Sequence, residues 1–213
     1  MKKSALIVGM LLLLMGCQSA YYAAWEKLGV EKRDILVDRV ENAKESQEEA
    51  QEQFASALEE LSALIAFDGG ELQDIYEALS DQYEASQAAA ADVSSRVDKV
   101  ESVAEALFAE WEDELEAFSN ATYKRQSAEQ LRQTQRQYAS LMRSMRKVEK
   151  SMQPVLITLN DNVLYLKHNL NASAIGALQG ELTSIQRDVN LLINEMNAAI
   201  KESNAFIESM QTD

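Results

Sequence analysis

Residues 36–64 read LVDRVENAKESQEEAQEQFASALEELSAL, and the spacing of their apolar positions decides the fold. Leu36, Val40, Ala43, Gln47, Ala50, Phe54, Ala57, Leu61 and Leu64 follow one another in alternating steps of four and three, with Gln47 the polar occupant. Such a repeat keeps one stripe of an α-helix turned toward a partner helix, which is the seam of a coiled coil. A strand would need a period of two.

Three further tracts repeat the pattern. Phe67-Asp68-Gly69-Gly70 interrupts the first, because two glycines permit a helix stop and a reversal at little steric cost. A second seam runs through Leu72, Tyr76, Leu79, Tyr83, Ser86, Ala90, Val93, Val97, Val100, Ala104, Leu107 and Trp111, resuming at Leu115 and Phe118. A third occupies Leu131, Thr134, Tyr138, Leu141, Met145, Val148, Met152, Val155, Leu159, Val163, Leu166 and Leu170. It is out of phase with the second, so Ser119-Asn120-Ala121-Thr122 is either a tight turn or a stutter. The fourth follows Asn171-Ala172-Ser173 and includes Ile175, Leu178, Leu182, Ile185, Val189, Leu192, Met196, Ala199, Ser203, Phe206 and Met210. Pro154 lies inside the third tract, where a kink is expected.

The fold is therefore all-α, built of long antiparallel coiled-coil helices. Four helices with short connections predict an up-down-up-down four-helix bundle about 65–75 Å long. The alternative is a three-helix, BAR-like rod in which residues 71–170 form one helix about 150 Å long.

Composition narrows the chemistry. The chain has 213 residues, 46% hydrophobic and 26% charged, with one proline, one cysteine and one histidine. A single cysteine excludes an intramolecular disulfide and a Cys-based zinc site. A di-iron site in a bundle needs Glu-x-x-His, but Tyr165 stands three residues before His168. Haem held by His168 and one of Met142, Met145 or Met152 is the remaining cofactor reading, although methionines at seam spacing are ordinarily core filling. No glycine-rich phosphate loop follows a strand pattern. The expectation is no cofactor, no metal and no catalytic activity.

The N-terminus carries an address. Lys2 and Lys3 precede an apolar run over residues 5–15, shorter than the roughly 20 residues of a membrane span. The run ends Leu14-Met15-Gly16-Cys17, which looks like a bacterial lipobox, with Cys17 as the lipidated residue. Residues 1–16 then form a signal peptide, 17–22 a lipidated linker and 23–213 one helical domain. Gln18 stands where lipoproteins retained at the inner membrane often carry aspartate, so the expected place is the periplasmic face of the outer membrane. Removing residues 1–16, which hold Lys2 and Lys3 and no acid, takes the net charge from −15 to −17. Nucleic acid is disfavoured as a partner.

Two surfaces stand out. Residues 119–150 hold two acids and eight bases in an otherwise acidic chain. Lys124, Arg125, Arg132, Arg136 and Arg143, with the belt-like Tyr21, Tyr22 and Trp25, are candidate membrane contacts. The competing reading is internal neutralisation, with these bases lying against acidic helices whose Glu41, Glu45, Glu48, Glu49 and Glu52 repel one another. Beside the fourth seam, Asn190, Asn194, Asn197, Lys201 and Asn204 form a near-core amide stripe, a candidate docking edge for a second copy or another envelope protein.

Several stretches also carry a resemblance: Lys32-Arg33-Asp34-Ile35-Leu36, Phe67-Asp68-Gly69-Gly70, Phe108-Ala109-Glu110-Trp111-Glu112, Arg143-Ser144-Met145-Arg146, Tyr165-Leu166-Lys167-His168-Asn169 and Glu202-Ser203-Asn204-Ala205-Phe206. Together they resemble an uncharacterised family of γ-proteobacterial lipoproteins known only as a domain of unknown function. The resemblance covers essentially all of the chain after Cys17 and implies a bacterial envelope setting. It brings no catalytic residues with it. The expected function is a non-enzymatic, lipid-anchored periplasmic scaffold or docking protein. The alternatives are a BAR-like membrane-surface protein and a bundle that binds haem or a small ligand.

Overall fold

The computed structural model describes residues 31–65, 72–169 and 172–212. Four helices account for nearly all of them: α1 (Lys32–Ile65), α2 (Leu72–Ala117), α3 (Ala121–His168) and α4 (Ala172–Thr212). α3, at 48 residues, is about 72 Å long at 1.5 Å per residue.

Each helix buries most of its seam; Phe118, expected in the second seam, lies past the end of α2 and is 40% exposed. Leu36, Val40, Phe54 and Leu61 of α1, Leu79, Val93, Val97 and Val100 of α2, Leu141, Met145, Met152 and Leu159 of α3, and Leu178, Leu192, Met196 and Phe206 of α4 are all buried in one continuous core. α1 packs on α2 and α4, and α3 packs on the same two, so the helices form a ring with α1 and α3 on one diagonal.

Polar contacts fix the directions. Lys32 and Gln53 of α1 meet Glu110 and Gln82 of α2, while Trp111 and Phe108 of α2 meet Ser127 and Tyr138 of α3. Gln51 of α1 meets Asn197, and the Ile65 carbonyl accepts from Gln179. Rising numbers on one helix meet falling numbers on its neighbour. The bundle is up-down-up-down, and the 150 Å rod does not form.

What breaks the rod is Asn120. α2 stops at Ala117, and Asn120 adopts extended geometry at φ −88° and ψ 110°. Its Oδ1 accepts the free backbone N–H groups of Thr122 at 2.9 Å and Tyr123 at 3.3 Å, which starts α3 as a separate helix. At the far end, the Asn169 N–H donates to the Leu166 carbonyl at 3.0 Å and its side-chain amide to the Tyr165 carbonyl at 2.9 Å. α3 continues through the exposed Pro154, whose missing N–H orphans only the carbonyl of the equally exposed Lys150.

The seam carries a few polar side chains. Ser203 donates to the Ala199 carbonyl at 2.9 Å, Ser46 to the Ala43 carbonyl at 3.2 Å, and Asn162 to the Thr158 carbonyl at 2.7 Å. Gln47 is fully buried, and neither Oε1 nor Nε2 has a hydrogen-bond partner; the Ser86 hydroxyl is in the same position.

Candidate docking surfaces

α3 positions its cations by heptad arithmetic. A residue midway between two seam positions four apart lies 200° from each, so it points straight out of the bundle. On α3 those positions are Arg136, Arg143 and Lys150, followed by Ile157 and Asp161. All are exposed, Ile157 by 59%. Arg125 and Arg132 lie one residue-column aside and are exposed as well.

The bases divide into two groups. Lys124 pairs with Glu116 across the α2–α3 turn at 3.0 Å, and Lys147 pairs with Glu195 of α4 at 3.1 Å. Arg146 binds Asp98 at 2.8 Å, Glu149 at 2.9 Å and Glu101. Partial burial pulls its pKa down, but the hydrogen bonds to Asp98, Glu101 and Glu149 outweigh this and raise it. By contrast, Arg125, Arg132, Arg136, Arg143 and Lys150 make no ion pair among the described residues. Internal neutralisation is therefore partial, and it does not involve the acids of α1. Glu41, Glu45, Glu48, Glu49 and Glu52 are exposed on the helix diagonal to α3.

Beside Arg146, Tyr138 packs edge-on against Phe108 with ring centroids 5.3 Å apart. Burial first, then the charges of Glu101 and Glu105, push its pKa up to about 12. These perturbed groups lock α2 to α3.

The amide stripe of α4 lies farther out than its near-core placement predicts. Asn190, Asn194, Asn197, Lys201 and Asn204 are all exposed, because seam residues Val189, Leu192, Met196, Ala199 and Ser203 take the buried positions. Asn197 alone of these reaches across the seam edge, to Gln51 at 3.4 Å. The stripe does not set the bundle's register.

A cleft of about 200 Å³ opens at the end where α1 begins, with Lys32, Glu110, Glu114, Trp111 and Met210 in its wall, and a more open surface groove of about 540 Å³ is lined by Arg33, Asp34, Val37, Asp38, Glu41, Met210 and Gln211. The cleft is smaller than the roughly 300–1,000 Å³ of ordinary ligand pockets, and the Lys32–Glu110 ion pair at 2.8 Å crosses its wall; the groove is polar and open to solvent. Trp111 is half-buried rather than core, because the first residue of α1 already pairs with Glu110 and leaves Trp111 at the rim. Haem on His168 with a core methionine is ruled out by position. His168 is exposed in the last turn of α3, whereas buried Met152, the nearest of the three, lies about 24 Å back along the helix.

Cys17, Tyr21, Tyr22 and Trp25 lie outside the described residues. Among the described residues, no group of His, Cys, Asp and Glu is placed to hold a metal ion, and no helix is long and apolar enough to cross a membrane. The family model described as "Protein of unknown function (DUF2959)" matches residues 21–210. The chain belongs to this family. The DUF2959 match spans all four helices, so the bundle is the family's shared unit in this chain. No curated protein and no solved structure matches the chain.

Proposed function

We propose that this DUF2959 protein is a lipid-anchored, non-enzymatic docking protein of the bacterial envelope, held by Cys17 at the periplasmic face of the outer membrane. The observation that carries the reading is where the molecule keeps its unspent chemistry. The described core is mostly apolar, while five cations of α3 and, apart from Asn197 with its bond to Gln51, the amides of the α4 stripe face outward. The chemistry left over for contact lies on the sides of the bundle.

Anchorage at Cys17 fits the geometry. Residue 31 enters α1 at the same end as the α2–α3 turn, so lipid on Cys17 would set that end toward the membrane, with Tyr21, Tyr22 and Trp25 at headgroup level. Glu110, Glu112, Asp113, Glu114 and Glu116 crowd that end against Lys124 and Arg125. An acidic tip resists close seating on anionic lipid, which leaves the sides of the bundle to do the binding.

Metabolic labelling with palmitate tests the anchor: label should enter the wild-type chain and be lost in Cys17→Ala, with the protein moving from the outer-membrane fraction to the soluble periplasm. Crosslinking in intact envelopes tests the docking role. Unlabelled wild-type protein, or an envelope in which it crosslinks to nothing at all, would overturn the reading.

A further inference from the structure

We infer that the partner of the basic row on α3 is the acidic row on α1 of a second copy, so that copies associate side by side in a head-to-tail row. The inference deepens the docking reading above by naming one of its partners. It rests on a relation between two helices that face each other only across the diagonal of the ring.

The outermost positions of α1, found by the same rule as on α3, are Asp38, Glu45, Glu52 and Glu59, with Glu41 and Glu48 one column aside. All are exposed. On α3 the outermost positions are Arg136, Arg143 and Lys150. Both rows repeat every seven residues, which is about 10.5 Å along a helix. Because α1 and α3 are diagonal in the ring, their outer faces look in opposite directions. One molecule can never bring the two rows together.

The rows also stand at the same level. On one flank, Gln51 of α1 meets Asn197 of α4, two residues from Glu195, which pairs with Lys147 of α3. On the other flank, Asn42 of α1 meets Arg96 of α2, two residues from Asp98, which pairs with Arg146 of α3. The stretch from Asn42 to Gln51, which holds Glu45 and Glu48, is thus level with Arg146 and Lys147, which lie between Arg143 and Lys150. α1 and α3 also run in the same direction. A sideways translation with no rotation therefore sets the cations of one molecule against the acids of the next, ends aligned. Molecules tethered by the same end to one surface are presented to each other in that way.

Such a contact is heterologous: each copy offers a different face to each neighbour and the row stays open. An anionic membrane would also attract Arg136, Arg143 and Lys150, but it gives no reason for a second row of matching spacing, level and opposite sign on the far side.

The test uses the full chain in a neutral detergent, followed by sedimentation velocity. At about 0.1 M salt, where the screening length is about 10 Å, the average mass should rise with concentration, and at about 1 M, where it is about 3 Å, it should fall to that of the monomer. An all-acidic variant, Arg136→Glu with Arg143→Glu and Lys150→Glu, should stay monomeric, as should an all-basic variant, Glu45→Lys with Glu52→Lys and Glu59→Lys. Mixed in equal amounts, the two variants should associate again. Circular dichroism confirms that each is folded, and recovery on mixing itself requires folded partners. A monomeric wild type at both salts, unimpaired association of either variant, or folded variants that stay apart on mixing would each overturn the inference. Flotation with phosphatidylglycerol vesicles decides the rival: vesicle binding lost in the all-acidic variant, with mass unaffected, would assign the row to lipid. Envelope crosslinks to other proteins would then still support the docking reading without self-association.

Discussion

Replacing Gln47 by methionine should make the protein more stable. Gln47 sits in the α1 seam with no exposure, and both polar atoms of its amide lack a partner. Taking an amide out of water without returning a hydrogen bond costs about 1–3 kcal/mol in protein mutational series. Methionine keeps the length and flexibility of glutamine, fills nearly the same space and carries no strong donor or acceptor, so little cavity or overpacking term offsets the gain. The expected stabilisation is about 2 kcal/mol. For a domain of this size 1 kcal/mol moves Tm by about 2–4 °C, so the rise should be about 4–8 °C. Reversible thermal unfolding followed by circular dichroism at 222 nm measures it, with light scattering to show that the mass is unchanged. Gln47→Ala is the control, since it removes the amide but leaves a void and should fall below Gln47→Met. An unchanged or lower Tm in Gln47→Met would refute the reasoning, because it would mean the amide is hydrogen-bonded in solution.

Other perturbations read other parts of the bundle. Tyr138 should ionise near pH 12 in a spectrophotometric titration, and Tyr138→Phe should remove that phase; since the unfolded chain releases this proton near pH 10, stability should fall as pH rises from about 10 to about 12. Arg146→Met should lower stability by about 1–2 kcal/mol in urea unfolding by removing the bridge from α3 to Asp98 and Glu101, and the loss should shrink in high salt. Gly180→Ala should stabilise α4 by about 0.5–1 kcal/mol, because an added Cβ meets nothing within 4 Å and alanine restricts the unfolded chain.

The helices were legible because a heptad seam is a local property. Leu36 to Leu61 announces α1 before any neighbour is known, and the phase slip between Phe118 and Leu131 marks the place where Asn120 caps α3. The choice between turn and stutter was not legible, since both leave the same slip and only the Asn120 hydrogen bonds distinguish them. The surfaces were legible as composition and not as geometry. Bases in residues 119–150 suggest neutralisation by the acids of α1, but which helices are neighbours depends on ring order, and the ring places α1 on the diagonal. Arg146 and Lys147 find acids on α2 and α4 because their columns lean sideways, while Arg136 and Arg143 point straight out. The amide stripe was misplaced inward for a related reason. Asn190 and Asn197 sit one residue after a seam position, where a rotation of 100° already carries the side chain to the outside.

The acidic face of α1 makes the case for a function outside the molecule. Glu41 with Glu45, Glu45 with Glu49 and Glu48 with Glu52 are like charges four residues apart, each destabilising a helix by about 0.2–0.5 kcal/mol, or about 1 kcal/mol together. The seam holds α1 helical regardless, because burying side chains such as Leu36, Phe54 and Leu61 contributes about 1.5–3 kcal/mol each. Nothing in the core needs those glutamates, and lysine or alanine at the same outward positions would relieve the repulsion. The same holds for Arg136 and Arg143, which pair with no acid among the described residues. Two faces thus carry charge that the fold neither uses nor balances, at matched spacing and level. Charge kept at a small cost to the monomer is explained by what lies against it when the molecule is not alone.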